Sequence, residues 1–255
     1  MRPPRGTFAA RPDTRPAMPL LLLLETSGPA CSVALATSGD APGGVGARVL
    51  AEAEETVPMR HTARLLPLIR EVLRATNCDF VDLDAVAVSA GPGSYTALRA
   101  GYATAKGLCA ARGLPLLTVS TLRALASVAL ARLRVSGEAV TPVVGAYVPA
   151  RRDEVYYAAY DAELRERVAP GVVTVDSAWR AARAAEGALL CGTGPLPGDA
   201  EAAGLSPKPD TIALHARNLL IASSMKFAAG QFAELSTAEP AYVRPPYITT
   251  PRPRL

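Results

Sequence analysis

The chain of 255 residues predicts an α/β protein of two similar lobes, on three observations. A succession of three strands, a helix and a further strand occurs twice; a Ser136-Gly137 break separates the two occurrences; a glycine-rich turn opens a long helix in the first. In the first half, strands are expected over 20–26, 31–37 and 48–55, joined by Ser-Gly-Pro and Gly-Asp-Ala-Pro-Gly-Gly turns. A helix over 62–76 follows, with Leu65, Ile69, Val72 and Leu73 on one side, Leu66 broadening the stripe and Pro67 bending the first turns. Next come a buried strand over 85–89, a helix from the Ser94 N-cap to about 111, a strand over 115–119 and a helix over 121–133.

In the second half the same reading gives paired strands over 140–148 and 154–160, a third over 171–175, a helix over 177–185, a strand over 188–191 and a long final helix over 211–229. No residue-level repeat is visible, but two such successions point to a duplicated unit whose antiparallel meander continues into a parallel strand by a right-handed crossover. This is the order of the two-lobed ribonuclease H-like, actin/Hsp70/sugar-kinase architecture, in which a nucleotide sits between the lobes. Residues 1–18 are expected to be a disordered leader or a mis-assigned start with Met18 as the true one. The first lobe is expected over 19–119 and the second over 120–243, its final helix packing back on the first lobe. A basic, proline-rich tail fills 244–255.

With 49% hydrophobic and 20% charged residues, and an N-terminal apolar run of only five leucines before Glu25, the chain reads as globular, soluble and cytoplasmic rather than disordered or membrane-bound. The net charge is +4 in all; residues 1–18 carry +3 and residues 244–255 another +3, which leaves −2 for residues 19–243. A slightly acidic body offers no wide face to a phosphate backbone, so independent nucleic-acid binding is not expected. Cys31, Cys78, Cys109 and Cys191 are scattered and read as free thiols.

Four motifs carry candidate chemistry. Glu25, Thr26, Ser27 and Ser32 flank a turn that either cradles phosphate or a Mg²⁺-bound water, or is a polar hairpin turn. Residues 90–99, AGPGSYTALR, place a glycine turn at a helix start where an anion could dock, but Thr96 breaks the dinucleotide fingerprint and Ser94 lacks the flanking glycines of a serine elbow. Small residues at 97, 100, 101, 103, 105 and 107 let a helix approach closely, inside the chain or between chains, with Tyr95, Leu98 and Tyr102 as anchors. Gly192 and Gly194 either approach a nucleotide or form a tight turn, and the Arg151–Tyr157 segment joins two strands and either presents charge to a partner or is a solvated hairpin tip. His61 and His215 are isolated, and the position one turn beyond His61 is Leu65, so no metal site and no catalytic triad is expected.

Six segments together resemble the TsaB (YeaZ) family of bacterial tRNA threonylcarbamoyladenosine biosynthesis proteins: LETSGPACSVAL at 24–35, HTARLLPLI at 61–69, VSAGPGSYTALRAGYATAKGL at 88–108, VSTLRALA at 119–126, RRDEVYYAAY at 151–160 and AEPAYVR at 238–244. The resemblance implies a degenerate, non-catalytic relative of the transferase TsaD. Such a protein scaffolds the complex that places a threonylcarbamoyl group on the adenosine next to the anticodon of tRNAs reading codons that begin with A. It further implies TsaD and TsaE as partners, a homodimer when alone, tRNA reached through the complex, and no cofactor beyond ATP or ADP at or near the partner interface. The partner face carries over to His61, Leu65, Leu66 and Ile69 on the first helix and to Tyr95, Leu98, Arg99 and Tyr102 on the second. The catalytic relative binds metal through two histidines four apart, where this chain has His61 and Leu65. Glu25 stands where the family has aspartate, and Pro149-Ala150 where it often has Asp-Ala, which weakens any nucleotide or Mg²⁺ site. The alternative is a weakly active ATP-dependent phosphotransferase or ATPase relying on Glu25; a glycoprotease-like hydrolase has neither a metal pair nor a nucleophile elbow to support it.

Overall fold

A computed structural model describes residues 18–39, 46–137, 143–198 and 209–243. The expected leader up to residue 17, the tail, most of the turn at 39–44 and residues 140–142 of the expected strand at 140–148 lie outside them.

Two five-stranded sheets share one wiring. In the first, β1 (Leu20–Glu25), β2 (Cys31–Thr37) and β3 (Arg48–Glu55) form an antiparallel meander, and β4 (Ala85–Gly91) and β5 (Leu116–Ser120) extend it in parallel, in the order β3-β2-β1-β4-β5. In the second, β6 (Val144–Pro149), β7 (Glu154–Tyr160) and β8 (Glu166–Thr174) form the meander, and β9 (Leu189–Gly192) and β10 (Asp210–Thr211) the parallel side, in the order β8-β7-β6-β9-β10. The strands correspond one to one, which gives the expected duplication a topological form.

Five layers result. On the outer face of the first sheet lie α1 (His61–Ala75) and α2 (Tyr95–Arg112), whose Leu65, Leu68, Ile69, Val72, Tyr102 and Ala105 share a core with Leu22, Leu24, Val33, Val86 and Val88. Leu21 and Leu23, pointing the other way as strand alternation requires, pack with Ala216, Leu219 and Leu220. The middle layer is α3 (Thr121–Ser136) with the 3₁₀ turn Ala216–Leu219 and α5 (Leu220–Ala228). Leu122, Leu125, Ala129 and Leu130 of α3 face the second sheet while Ala124 faces the first. The short α4 (Ser177–Ala185) is tied to the far side of the second sheet by Trp179, edge-on to Tyr157 at 5.3 Å.

Two expectations are corrected, and a third, Ser94 as the N-cap of α2, is met. The helix over 211–229 is in fact the last residue of β10, an extended stretch, the 3₁₀ turn and a nine-residue α5, because the Ile212 amide donates to Gly192 O and His215 stays extended. The strand over 171–175 begins at Glu166; it is an exposed edge strand and tolerates Pro170 because one side has no ladder partner. Ser94 occupies the N-cap of α2, but its side chain makes no capping bond. The chain then returns to the first lobe: the Ala233 amide donates to Leu116 O, the Ala241 amide to Ala90 O, and Lys106 Nζ to Ala238 O. Residues 233–242, expected in the second lobe, are thus bound to the first.

Candidate functional site

A cleft of about 910 Å³ opens between the lobes, walled by the Ser27–Ala30 turn, Glu54, Met59, His61, Gly93, Ser94 and Thr96 on one side and by Val148, Pro149, Thr193, Leu214 and His215 on the other. Its floor is fixed by polar bonds between β2, β3 and the returning segment. Ser32 Oγ accepts from the Ala216 amide at 3.0 Å, Glu52 Oε1 accepts from the Arg217 amide at 3.1 Å, Glu52 also pairs with the Arg217 guanidinium, and His215 Nδ1 lies 2.9 Å from Glu54 Oε2. Ser32 therefore serves as an internal joint between the lobes.

Glu25 ends β1 fully buried and is not on the cleft wall. One carboxylate oxygen accepts from both the amide and the hydroxyl of Ser27 at 2.6 Å; the other has no partner among the described residues. Burial pushes this carboxyl above its ordinary value, against the lowering effect of the Ser27 bonds. Thr26 Oγ1, likewise unpartnered, lies where a side chain on Gly101 of α2 would have to go: a Cβ there would come within 2.3 Å of it.

The two loops that would have to cradle phosphate are closed on each other. The Ser94 amide, at the start of α2, donates to Ser27 O at 2.8 Å, and a Cβ on Gly93 would stand 2.3 Å from that same oxygen. That bond uses the N-cap amide of α2, one of the donors a helix N-terminus would offer an anion. In the second lobe a Cβ on Gly192 would come within 2.4 Å of the Tyr147 ring, and Tyr147 Oη donates to Gly194 O at 2.9 Å. Gly192 makes room for the tyrosine, and Gly194 holds its hydroxyl by a backbone carbonyl. Glu25, Thr26, Ser32, Gly192 and Gly194, expected as vestigial nucleotide contacts, are structural; of that set only Ser27 reaches the cleft wall. The residues present do not fit a phosphate or Mg²⁺ cradle.

His61 settles against the same turn, its Nε2 at 3.1 Å from Gly28 O and 3.2 Å from Ala30 O. Two carbonyl acceptors require that nitrogen to carry the proton, so it cannot ligate a metal. Among the described residues no group of three His, Cys, Asp or Glu side chains could hold a metal ion, and no helix is long and apolar enough to cross a membrane.

The eight expected partner contacts divide. Leu65, Ile69 and Tyr102 lie in the first lobe's core, Leu98 is 2% exposed, and His61 is committed to the turn. As side chains offered to a partner, these five are corrected. Leu66, Tyr95 and Arg99 stand at the surface. The small residues of α2 split the same way: Ala97, Gly101 and Ala105 face inward, while Ala100, Ala103 and Gly107 face outward, Gly107 into open space. The Tyr95 ring meets Tyr242 from the returning segment at 5.0 Å, and Arg99 Nη1 donates to Tyr95 Oη at 2.7 Å. Sequence reading missed Tyr242, Glu54 and Met59. The first two gain their roles from residues 147 and 161 positions away, and of Met59's exposed, positive-φ placement only the preceding Pro58 gives a hint.

Two sheets of order 3-2-1-4-5, stacked about a helical layer with a cleft between, define a two-lobed protein of the ribonuclease H-like, actin-type fold. The family described as TsaD, tRNA N6-adenosine threonylcarbamoyltransferase, matches residues 51–182. The Escherichia coli tRNA threonylcarbamoyladenosine biosynthesis protein TsaB is 28% identical over 246 residues, 88% of this chain and 94% of that protein. Its Haemophilus influenzae namesake is 34% identical over 148 residues, 58% of this chain and 55% of that one. The solved structure of YeaZ from Pseudomonas aeruginosa superposes with a TM-score of 0.67 at 33% identity, over 88% of this chain and all of that one. The chain belongs to the TsaB/YeaZ family.

Proposed function

We propose that this protein is a non-catalytic subunit in tRNA threonylcarbamoyladenosine biosynthesis. It supports the transfer of a threonylcarbamoyl group to the adenosine next to the anticodon in tRNAs reading codons that begin with A. It binds TsaD through α1 and α2 in the cytoplasm, works with TsaE, meets tRNA through the complex, and pairs with itself by the same face when TsaD is absent, in a two-fold contact that uses one patch on both copies. It carries no cofactor of its own.

The observation that carries this reading is the outer face of α1 and α2, which keeps Leu66, Tyr95 and Arg99 exposed, while Glu25, the carboxylate on which an active site would rely, is buried away from the cleft wall. The test is light scattering after size exclusion, alone and with TsaD from the same organism, together with ATP hydrolysis by the isolated protein. Conversion of a homodimer to a heterocomplex with negligible turnover is expected. Turnover at ordinary enzyme rates, abolished by Glu25→Gln, would establish the phosphotransferase alternative instead.

A further inference from the structure

The charge of the folded body is segregated. α1 carries Arg64, Arg70 and Arg74 against Glu71 alone, and α2 carries Arg99, Lys106 and Arg112 with no acid, a net +5 over the two helices. Since residues 19–243 total −2, the remainder holds −7: a body that is acidic as a whole carries a local cationic face on these two helices. Part of the helical charge is used internally. Arg64 pairs with Glu55 at 3.1 Å, Lys106 donates to Ala238 O, and Arg112 to Val81 O.

Arg70, Arg74 and Arg99 are exposed, and among the described residues none forms an ion pair. Arg70 and Arg74 are one turn apart, a like-charge spacing that disfavours the helix by itself. Arg74 gains from the helix C-terminus; Arg70 has no such return. Arg99 is held ready, bonded to Tyr95 Oη with its guanidinium 5.4 Å from the ring centroid. Leu66 adds an apolar anchor, 53% exposed.

From this we infer that the outer face of α1 and α2 is built for a partner whose docking helices present carboxylates, and that its charge opposes self-pairing. The inference rests on the proposed pairing with TsaD and specifies its chemistry. A two-fold self-contact sets this cationic face against its own copy, whereas an acidic partner neutralises it. The four exposed cations of the two helices, Arg70, Arg74, Arg99 and Arg112, make a small footprint for a phosphate backbone, whose affinity grows with each phosphate neutralised, and the small outward residues of α2 suit close helix packing.

Salt separates the two complexes, because the screening length falls from about 10 Å at 0.1 M to about 3 Å at 1 M. The experiment measures the Kd of the full chain for TsaD and the self-association constant by sedimentation, at 0.1 M and 1 M NaCl, for the wild type and for Arg70→Gln/Arg74→Gln. Comparison with the variant isolates this face from the basic termini. At 0.1 M the variant is expected to bind TsaD at least tenfold more weakly and to self-associate several-fold more tightly, both differences closing at 1 M while its thermal midpoint stays at the wild-type value. Equal affinities of variant and wild type at 0.1 M overturn the inference and leave the pairing standing. So does a wild type that binds tRNA unaided through Arg70 and Arg74. Absence of any heterocomplex at either salt overturns the proposed pairing as well.

Discussion

Leu65 and Leu66 are adjacent in α1 and were both expected to touch a partner, yet they should respond to substitution in opposite ways. Leu65 is 1% exposed within the core that joins α1 to the first sheet, and Leu66 is 53% exposed. Truncating Leu65 to alanine removes three buried carbons, worth about 2–3 kcal/mol in transfer, and leaves a cavity that the flanking strands can fill only in part. A loss of about 3 kcal/mol is expected. Leu66→Ala should change stability by less than about 0.5 kcal/mol, whereas Leu66→Glu should weaken the complex with TsaD at least tenfold if this position is near the centre of the interface. Urea unfolding followed by circular dichroism measures the first effect, and light scattering of the mixture the second. If Leu65→Ala keeps wild-type stability yet loses the complex, Leu65 points outward and the packing of α1 is wrong.

The Glu25 carboxyl, raised by burial, makes folding pH-dependent: the unfolded chain gives up this proton at lower pH, so the stability present below the ordinary carboxyl pKa is lost as pH rises through the folded value. Glu25→Gln should therefore match the wild type near pH 4 and melt higher at pH 8; a lower melting point at pH 8 would contradict this account. Gly192→Ala would place a methyl 2.4 Å from the Tyr147 ring and should cost about 1–3 kcal/mol in thermal unfolding, while an unchanged midpoint would show that the ring can retreat. Glu52→Ala should speed hydrogen exchange at the amides of residues 216–219, since Glu52 holds Arg217 by both its amide and its guanidinium; unchanged exchange would mean that Ser32 and the apolar contacts fix this segment unaided.

Where local signals and tertiary contacts agree, the elements were legible. The first-lobe strands are bounded by Gly, Pro and Ser, and α1 shows its apolar stripe plainly, because half-buried elements must alternate or recur. The final helix was overextended since Ile212, Ala213, Ala216 and Leu219 have helical spacing, while pairing of β10 with β9 and the amide of Ile212 decide otherwise. The start of β8 was hidden because an exposed edge strand has no buried face to mark it. The stripe of α1 also could not say which helix face the sheet takes, so core and partner contacts were merged in one set. Gly192 reads as a nucleotide turn until Tyr147, 45 positions earlier, is seen to need its space.

The occupied Ser94 amide and the exposed outer face follow from a single packing choice. Gly93, just ahead of α2, and Ala97, Gly101 and Ala105 along its inner side recur every four residues, and Gly93 and Gly101 lie so close to the β1–β2 turn that a Cβ would overlap Ser27 O or Thr26 Oγ1. Such spacing lets α2 sit deep against the end of β1. That depth brings the Ser94 amide onto Ser27 O. It also leaves no need for large apolar residues on the outer side, where Ala100, Ala103 and Gly107 lie open beside Arg99. Gly101→Val should thus disturb two properties together, because an α2 pushed outward must both loosen the Ser27–Ser94 contact and shift the face offered to a partner. A Gly101→Val protein that folds with native stability and binds TsaD at wild-type affinity would break this link.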